Sequence, residues 1–165
     1  MTHLYGHGST RVIVLSAWFC SADSWAGTVR WLDPSRYTVA LIDYQGHGSR
    51  REEAGDYSTR GIARDVIAAV DNLGWDAYHV IGHSMGGKVA QLLAATDPRV
   101  VSVIGVVPVP PGNLELDDES TAAMLASVDD RALREEAVKE DAPATYLDYF
   151  AASLAEESYA SVSPD

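Results

Sequence analysis

The sequence predicts an α/β fold: a mostly parallel sheet with helices on both faces, apparently incomplete, followed by a helical segment. Three observations carry this. Strand patterns alternate with helical spacing through the first 111 residues. The strands are apolar throughout, as expected of strands covered on both sides. After Gly112 the strand signal stops and only helical patterns continue.

In chain order, Val12-Ile13-Val14-Leu15 is a short apolar run that reads as a buried strand. Residues 37–43 repeat the pattern, and Gly46, Gly48 and Ser49 end it with loop chemistry. Ile62, Val66, Ala69, Val70 and Leu73 recur at intervals of three and four, and Gly74 is a natural helix stop. Residues 78–81 form a third strand. Residues 85–95, with Val89, Leu92 and Leu93 on one face, form a second helix. It ends before Asp97-Pro98, because proline disfavours the helical region in the residue preceding it. Residues 100–107 are a fourth strand, nearly all apolar. Beyond Pro108-Val109-Pro110-Pro111-Gly112, residues 121–128, 130–140 and 145–155 read as three short helices. In the last, Tyr146, Phe150 and Leu154 fall at i, i+4 and i+8. That stripe either packs onto a neighbour or lines a substrate cavity under a lid.

A length of 165 residues fits one ordinary domain, and 47% apolar against 22% charged residues excludes wholesale disorder. With Cys20 alone no intrachain disulfide forms, so a reducing, cytoplasmic location is expected. The first residues lack the basic and apolar regions of a secretory signal, and no apolar run approaches the roughly 20 residues that span a bilayer. No membrane association is expected. The net charge of −12 is uneven: −1 over residues 1–111 and −11 over 112–165. Such a field repels phosphate backbones, so no nucleic-acid partner is expected. The step divides the chain into a core, residues 1–111, and an acidic helical segment, residues 112–165.

Gly82-His83-Ser84-Met85-Gly86 lies between the third strand and the second helix. It fits G-x-S-x-G, the nucleophile elbow, in the strand–turn–helix context that motif requires. So sharp a turn strains the backbone at Ser84, and a side chain at Gly82 or Gly86 would collide with neighbouring elements. The hydroxyl is thereby presented at the C-terminal edge of the sheet, before a helix N-terminus that favours developing negative charge. The backbone N–H of Met85 becomes an oxyanion donor. A glycine-rich turn with an incidental serine is the plainer alternative, against which both glycines, the serine and the context agree. The run from Gly82 to Gly87-Lys88 also begins a G-x-x-x-x-G-K-[ST] phosphate loop. Val89 then offers no hydroxyl for Mg²⁺, and residues 100–107 contain no Asp as a second metal anchor.

With these residues the sequence resembles the α/β-hydrolase fold family. Asp43-Tyr44-Gln45-Gly46-His47-Gly48-Ser49 looks like the family's D-x-R-G-H-G-x-S loop, with Gln45 in place of Arg. Val14-Leu15-Ser16-Ala17-Trp18-Phe19, followed by Trp25, occupies the place of the H-G-x-x…W oxyanion loop, with Ser16-Ala17 in place of His-Gly. The resemblance covers residues 10–111 well and the remainder loosely. It implies that the Trp18 N–H is the second oxyanion donor and that residues 112–165 are a helical cap or lid. It implies a serine hydrolase in which Ser84 attacks a small or medium hydrophobic ester, lactone or thioester, with no cofactor and no metal. Serine at the elbow sets the chain apart from dehalogenase and epoxide-hydrolase relatives, which carry Asp there.

Such enzymes need a base for the serine proton and an acid to orient it, in the order Ser, Asp/Glu, His. All five histidines, at 3, 7, 47, 79 and 83, precede Ser84. His79 reads as a packed or edge residue of a strand, and His83, at the sharp turn, is expected to point away from the serine. His47 shapes the turn after the second strand or contacts substrate. His3 and His7 fall in a Gly-rich terminus without helical signal, a poor metal site. Glu115, Asp117 and Asp118 follow a Pro-rich exit, and Asp43 is expected to accept hydrogen bonds within its loop. In the family further strands pair outside the one corresponding to residues 100–107, so that strand is expected to show an unprotected apolar edge. Residues 161–165 read as a linker between cap helices. The expectation is the N-terminal part of a longer hydrolase, its acid and histidine lying in a missing C-terminal portion or a second chain. The alternatives are a non-catalytic binding or interaction module, and a cofactor-free oxygenase or perhydrolase on the same scaffold.

Overall fold

The computed structural model describes residues 2–113, 115–141 and 148–162. At its centre is a mixed five-stranded sheet in the order β1-β3-β2-β4-β5. Its strands are β1 Thr2–Gly6, β2 Thr10–Leu15, β3 Tyr37–Ile42, β4 Tyr78–His83 and β5 Val100–Val106. Strands β2 to β5 run parallel, as their apolar composition predicts. β1 pairs antiparallel with β3, Thr2 opposite Ile42, and was not foreseen. Residues 2–6 carry no strand signal of their own; the open edge of β3 supplies the pairing that makes them one.

Helices cover both faces. Ile13, Leu15, Ala40, Ile42 and Val80 pack against α2 (Thr59–Leu73) and α3 (Met85–Thr96). On the other face Val12, Val14, Val39 and Leu41 pack against Ala22 of a 3-10 turn, Ala22–Trp25, and Val29 of the short helix α1, Ala26–Val29. The alternation of inward sets along each strand is why uniformly apolar strands are required. Ser58 caps α2 by accepting from the Gly61 N–H, and Gly74 ends it in the left-handed region at φ 64°.

β5 closes the described sheet, with Val101 and Ile104 exposed at 61% and 57% and Val107, just past its end, at 81%. This is the apolar edge that the sequence leads one to expect. Beyond it come α4 (Asp118–Asp129), α5 (Arg131–Asp141) and α6 (Asp148–Ser161), overlapping the three expected helices. Asp117 caps α4, its Oδ1 accepting from the Ser120 N–H at 2.7 Å. Of the apolar stripe, Tyr146 and the Phe150 side chain lie outside the described residues, while Leu154 lines a cleft. Ser161 and Val162 are not linker: Ser161 ends α6 and Val162 forms an antiparallel bridge with His47. Residues 163–165 lie outside the described set.

Candidate active site

Sheet register brings the functional loops to one edge. Leu15 stands opposite Gly82, and His83 opposite Val106, so the chain leaves β2, β4 and β5 side by side. At that edge Ser84 takes φ 51° and ψ −114°, a strained conformation for a residue with a Cβ. The segment after β4 and β5 holds it there. The Ser84 N–H donates to Val106 O at 3.0 Å, and its carbonyl accepts from the N–H groups of Gly87 (3.0 Å), Lys88 (3.2 Å) and Val109 (3.0 Å). The hydroxyl does not cap the helix, which leaves it for other chemistry.

The glycines explain the tightness. A Cβ on Gly82 would run into the Gly86 carbonyl, and one on Gly86 would lie 2.5 Å from both Leu15 O and Ser16 O. The first turn of α3 is therefore pressed against the end of β2, which sets the loop carrying Trp18 beside the elbow. That loop is anchored by Ser16, whose Oγ donates to Ser21 O (2.8 Å) and whose carbonyl accepts from Tyr44 OH (2.9 Å). Cys20 N–H closes a turn onto Ala17 O at 3.3 Å. Its third residue, Phe19, has φ 56°, the type II arrangement that ordinarily takes glycine. The Trp18 and Phe19 rings stack at 4.5 Å and 11°. The Trp18 N–H has no backbone acceptor among the described residues. Met85, the first residue of α3, carries an N–H without an intrahelical partner by helix geometry.

A cleft of about 930 Å³ opens between this edge and helices α4 to α6, lined by Trp18, His83, Ser84, Val106, Met124 and Leu133 among others. A cavity of about 320 Å³ lies on the other side of the Trp18–Phe19 pair, lined by His47, Tyr57, Ile62, Met85 and Val162. Cys20 also faces the cleft. Burial and then the Glu157 charge push its thiol up to about 11, so it is a poor nucleophile at neutral pH.

The remaining expected residues fall as follows. Asp43 Oδ1 accepts from Ala22 N–H (2.8 Å), and Oδ2 from Ser49 N–H (3.0 Å) and Oγ (2.7 Å). Burial raises its pKa, but those bonds win and hold the carboxyl below its usual range. It ties loops together and is not aimed at Ser84. His47 is buried, its Nδ1 3.2 Å from Gln45 O and its ring edge-on to Tyr44. Its Nε2 has no partner among the described residues, and burial pushes its pKa down. His83 lines the same cleft as Ser84, and no hydrogen bond joins the two. His79 Nδ1 meets Ser102 Oγ at 2.8 Å, and His3 Nε2 lies 3.6 Å from Asp43. Lys88, the lysine of the phosphate-loop alternative, donates instead to Gly112 O.

The family model described as the alpha/beta hydrolase fold matches residues 10–161. The chain belongs to this family. Among curated relatives it is 37% identical over 107 residues to the dihydrolipoyllysine-residue acetyltransferase component of the acetoin cleaving system of Cupriavidus necator, covering 63% of this chain and 28% of that protein. It is 30% identical over 99 residues to the monoacylglycerol lipase abhd6-A of Xenopus laevis, covering 58% and 29%. Among solved structures, a bromoperoxidase from Bacillus anthracis superposes with a TM-score of 0.81 at 22% identity, over 99% of this chain and 64% of that one. That likeness is one of fold. The chain thus spans less than a third of either curated relative and about two thirds of the solved chain.

Two contributors to this α/β-hydrolase site were not legible beforehand. Phe19 gives the loop its strained turn, and Arg134 of α5 reaches across the cleft to it, its Cζ 4.2 Å from the Phe19 ring centroid. Neither has a motif. Nor was there a sequence signal: the turn that sets Phe19 at positive φ, and so has to be held by something else, is visible only in the fold.

Proposed function

We propose that the chain is the nucleophile-bearing part of a serine hydrolase acting on a small or medium hydrophobic ester, lactone or thioester. The observation that carries this is the strained Ser84 at a helix N-terminus, its hydroxyl outside the helix cap and facing a largely apolar cleft. Ser84 Oγ attacks the acyl carbon and its proton passes to a base. The N–H groups of Trp18 and Met85 hold the oxyanion of the tetrahedral intermediate. Collapse expels the alcohol or thiol, leaving an acyl-enzyme that water hydrolyses. The acidic helices from residue 112 serve as the cap over the cleft. The base and acid come from polypeptide beyond these 165 residues or from a second chain, since no histidine follows Ser84. The exposed apolar edge of β5 offers a place for further strands to pair.

The test is labelling by a fluorophosphonate, read by intact mass, with and without imidazole in the buffer as an external base. Attack by Ser84 forms the O–P bond, fluoride leaves, and imidazole takes the proton. One label is expected on the wild type, faster with imidazole, and none on Ser84→Ala. Labelling that persists undiminished on Ser84→Ala overturns Ser84 as nucleophile and leaves a binding module on a hydrolase scaffold.

A further inference from the structure

Phe19 holds a turn conformation ordinarily reserved for glycine, and the loop's own hydrogen bonds, Cys20 N–H to Ala17 O and Ser16 Oγ to Ser21 O, do not involve Phe19 itself. What flanks the Phe19 ring is the Trp18 indole on one side and the Arg134 guanidinium, 4.2 Å away, as a second neighbour. Arg134 is only 2% exposed. Its Nε donates to Ser127 O at 2.9 Å and its Nη2 to Val128 O at 2.6 Å. Both carbonyls belong to the C-terminal end of α4, where the helix dipole favours a cation. The same guanidinium lies 5.3 Å from the Tyr159 ring of α6, over which Arg131 also sits at 4.3 Å. A single buried cation therefore joins the last turn of α4, the ring on α6 and the residue next to Trp18.

We propose that Arg134 is a positioning residue for the oxyanion hole. By stacking on Phe19 it fixes the turn that aims the Trp18 N–H, so that helices α4 to α6 must be seated for that donor to be aligned. The proposal rests on Ser84 being the acyl-transfer nucleophile. Arginine suits the place because a planar, weakly hydrated guanidinium stacks on rings and donates in a fork at once; lysine does one or the other. A substrate in the cleft touches Trp18 and Ser84 on one wall and Met124 and Leu133 on the other. A bound substrate would then hold together the two walls on whose contact the donor depends.

Two measurements on the 165-residue chain decide it: amide hydrogen exchange over residues 16–21, and the kinetics of fluorophosphonate labelling at Ser84. In Arg134→Met, which keeps the bulk, the loop amides are expected to exchange roughly tenfold faster while β2 and β4 stay protected. Maximal labelling is expected to slow roughly tenfold, with little change in the probe concentration giving half that rate, as for a misplaced oxyanion donor. Arg134→Lys should fall between. Faster exchange in α4 to α6 with an unchanged loop and unchanged labelling would mean that Arg134 only braces the helices, and overturns the proposal. Should Arg134→Met fail to fold, Phe19→Leu removes the same stack from the other side and carries the same two expectations. If Ser84→Ala labels as the wild type does, the nucleophile reading falls, and loop exchange alone decides whether Arg134 sets the Trp18 turn.

Discussion

At residue 86 there is no room for a methyl group. Its Cβ would sit 2.5 Å from two backbone carbonyls of the β2 exit, neither of which can move without shifting the strand. Gly86→Ala is expected to destabilise the fold by about 2 kcal/mol, read as a lower urea midpoint. It should also displace the Trp18 loop and abolish labelling at Ser84. His47 is a second single-residue test. Its ring is buried, with Nε2 unpaired among the described residues, and burial holds its pKa below the ordinary 6.5. The unfolded chain therefore takes up this proton first as pH falls. The stability contributed is complete above 6.5 and is lost as pH drops from there toward the depressed folded value. Urea midpoints should fall between about pH 7.5 and about pH 5.5, and His47→Gln, which does not titrate, should flatten that slope. Equal slopes in the two proteins would show that the ring plays no such part.

Among the elements, the turn from α3 into β5 depends on one buried carboxylate. Asp97 accepts from Tyr78 OH at 2.9 Å and from Arg99 Nη2 at 2.8 Å, and Arg99 reaches on to Asp71. The hydrogen bonds from Arg99 hold the Asp97 carboxyl at about 2, against burial. Since that lies below the ordinary 3.8, the stabilisation is full above pH 3.8 and disappears as pH falls through about 2. Asp97→Asn is expected to cost about 2 kcal/mol at neutral pH, because Arg99 and Tyr78 lose a charged acceptor. Its urea midpoint should converge with that of the wild type in strong acid. The start of α2 is a milder case: Ser58→Ala removes the acceptor for the Gly61 N–H and should cost about 1 kcal/mol.

For the molecule as a whole the governing feature is the exposed apolar strand beside the elbow. Val101 and Ile104 face solvent on an edge strand, where unpaired backbone groups template association. The 165-residue chain is expected to self-associate as its concentration rises, measured by sedimentation velocity. Ile104→Lys should suppress this without lowering the unfolding midpoint, since Ile104 is 57% exposed and contributes little burial. A monomer at all concentrations would show that the acidic charge, concentrated beyond residue 112, outweighs the edge.

The sequence by itself determined the strand–helix alternation, the parallel sheet and the strained serine. Each of these is dictated locally, by side-chain period, by proline and glycine, or by a turn too tight for a Cβ. The end of α2 at Gly74, the stop of α3 before Pro98 and the collisions at Gly82 and Gly86 were all readable in that way. β1 was not, because residues 2–6 become a strand only against the open edge of β3. Nor was the burial of His47 under Val162, or the stacking of Arg134 on Phe19. Those pairs lie more than a hundred residues apart in the chain. No local period encodes which distant side chain meets which; only packing decided how the helices are tied to the loop beside Ser84.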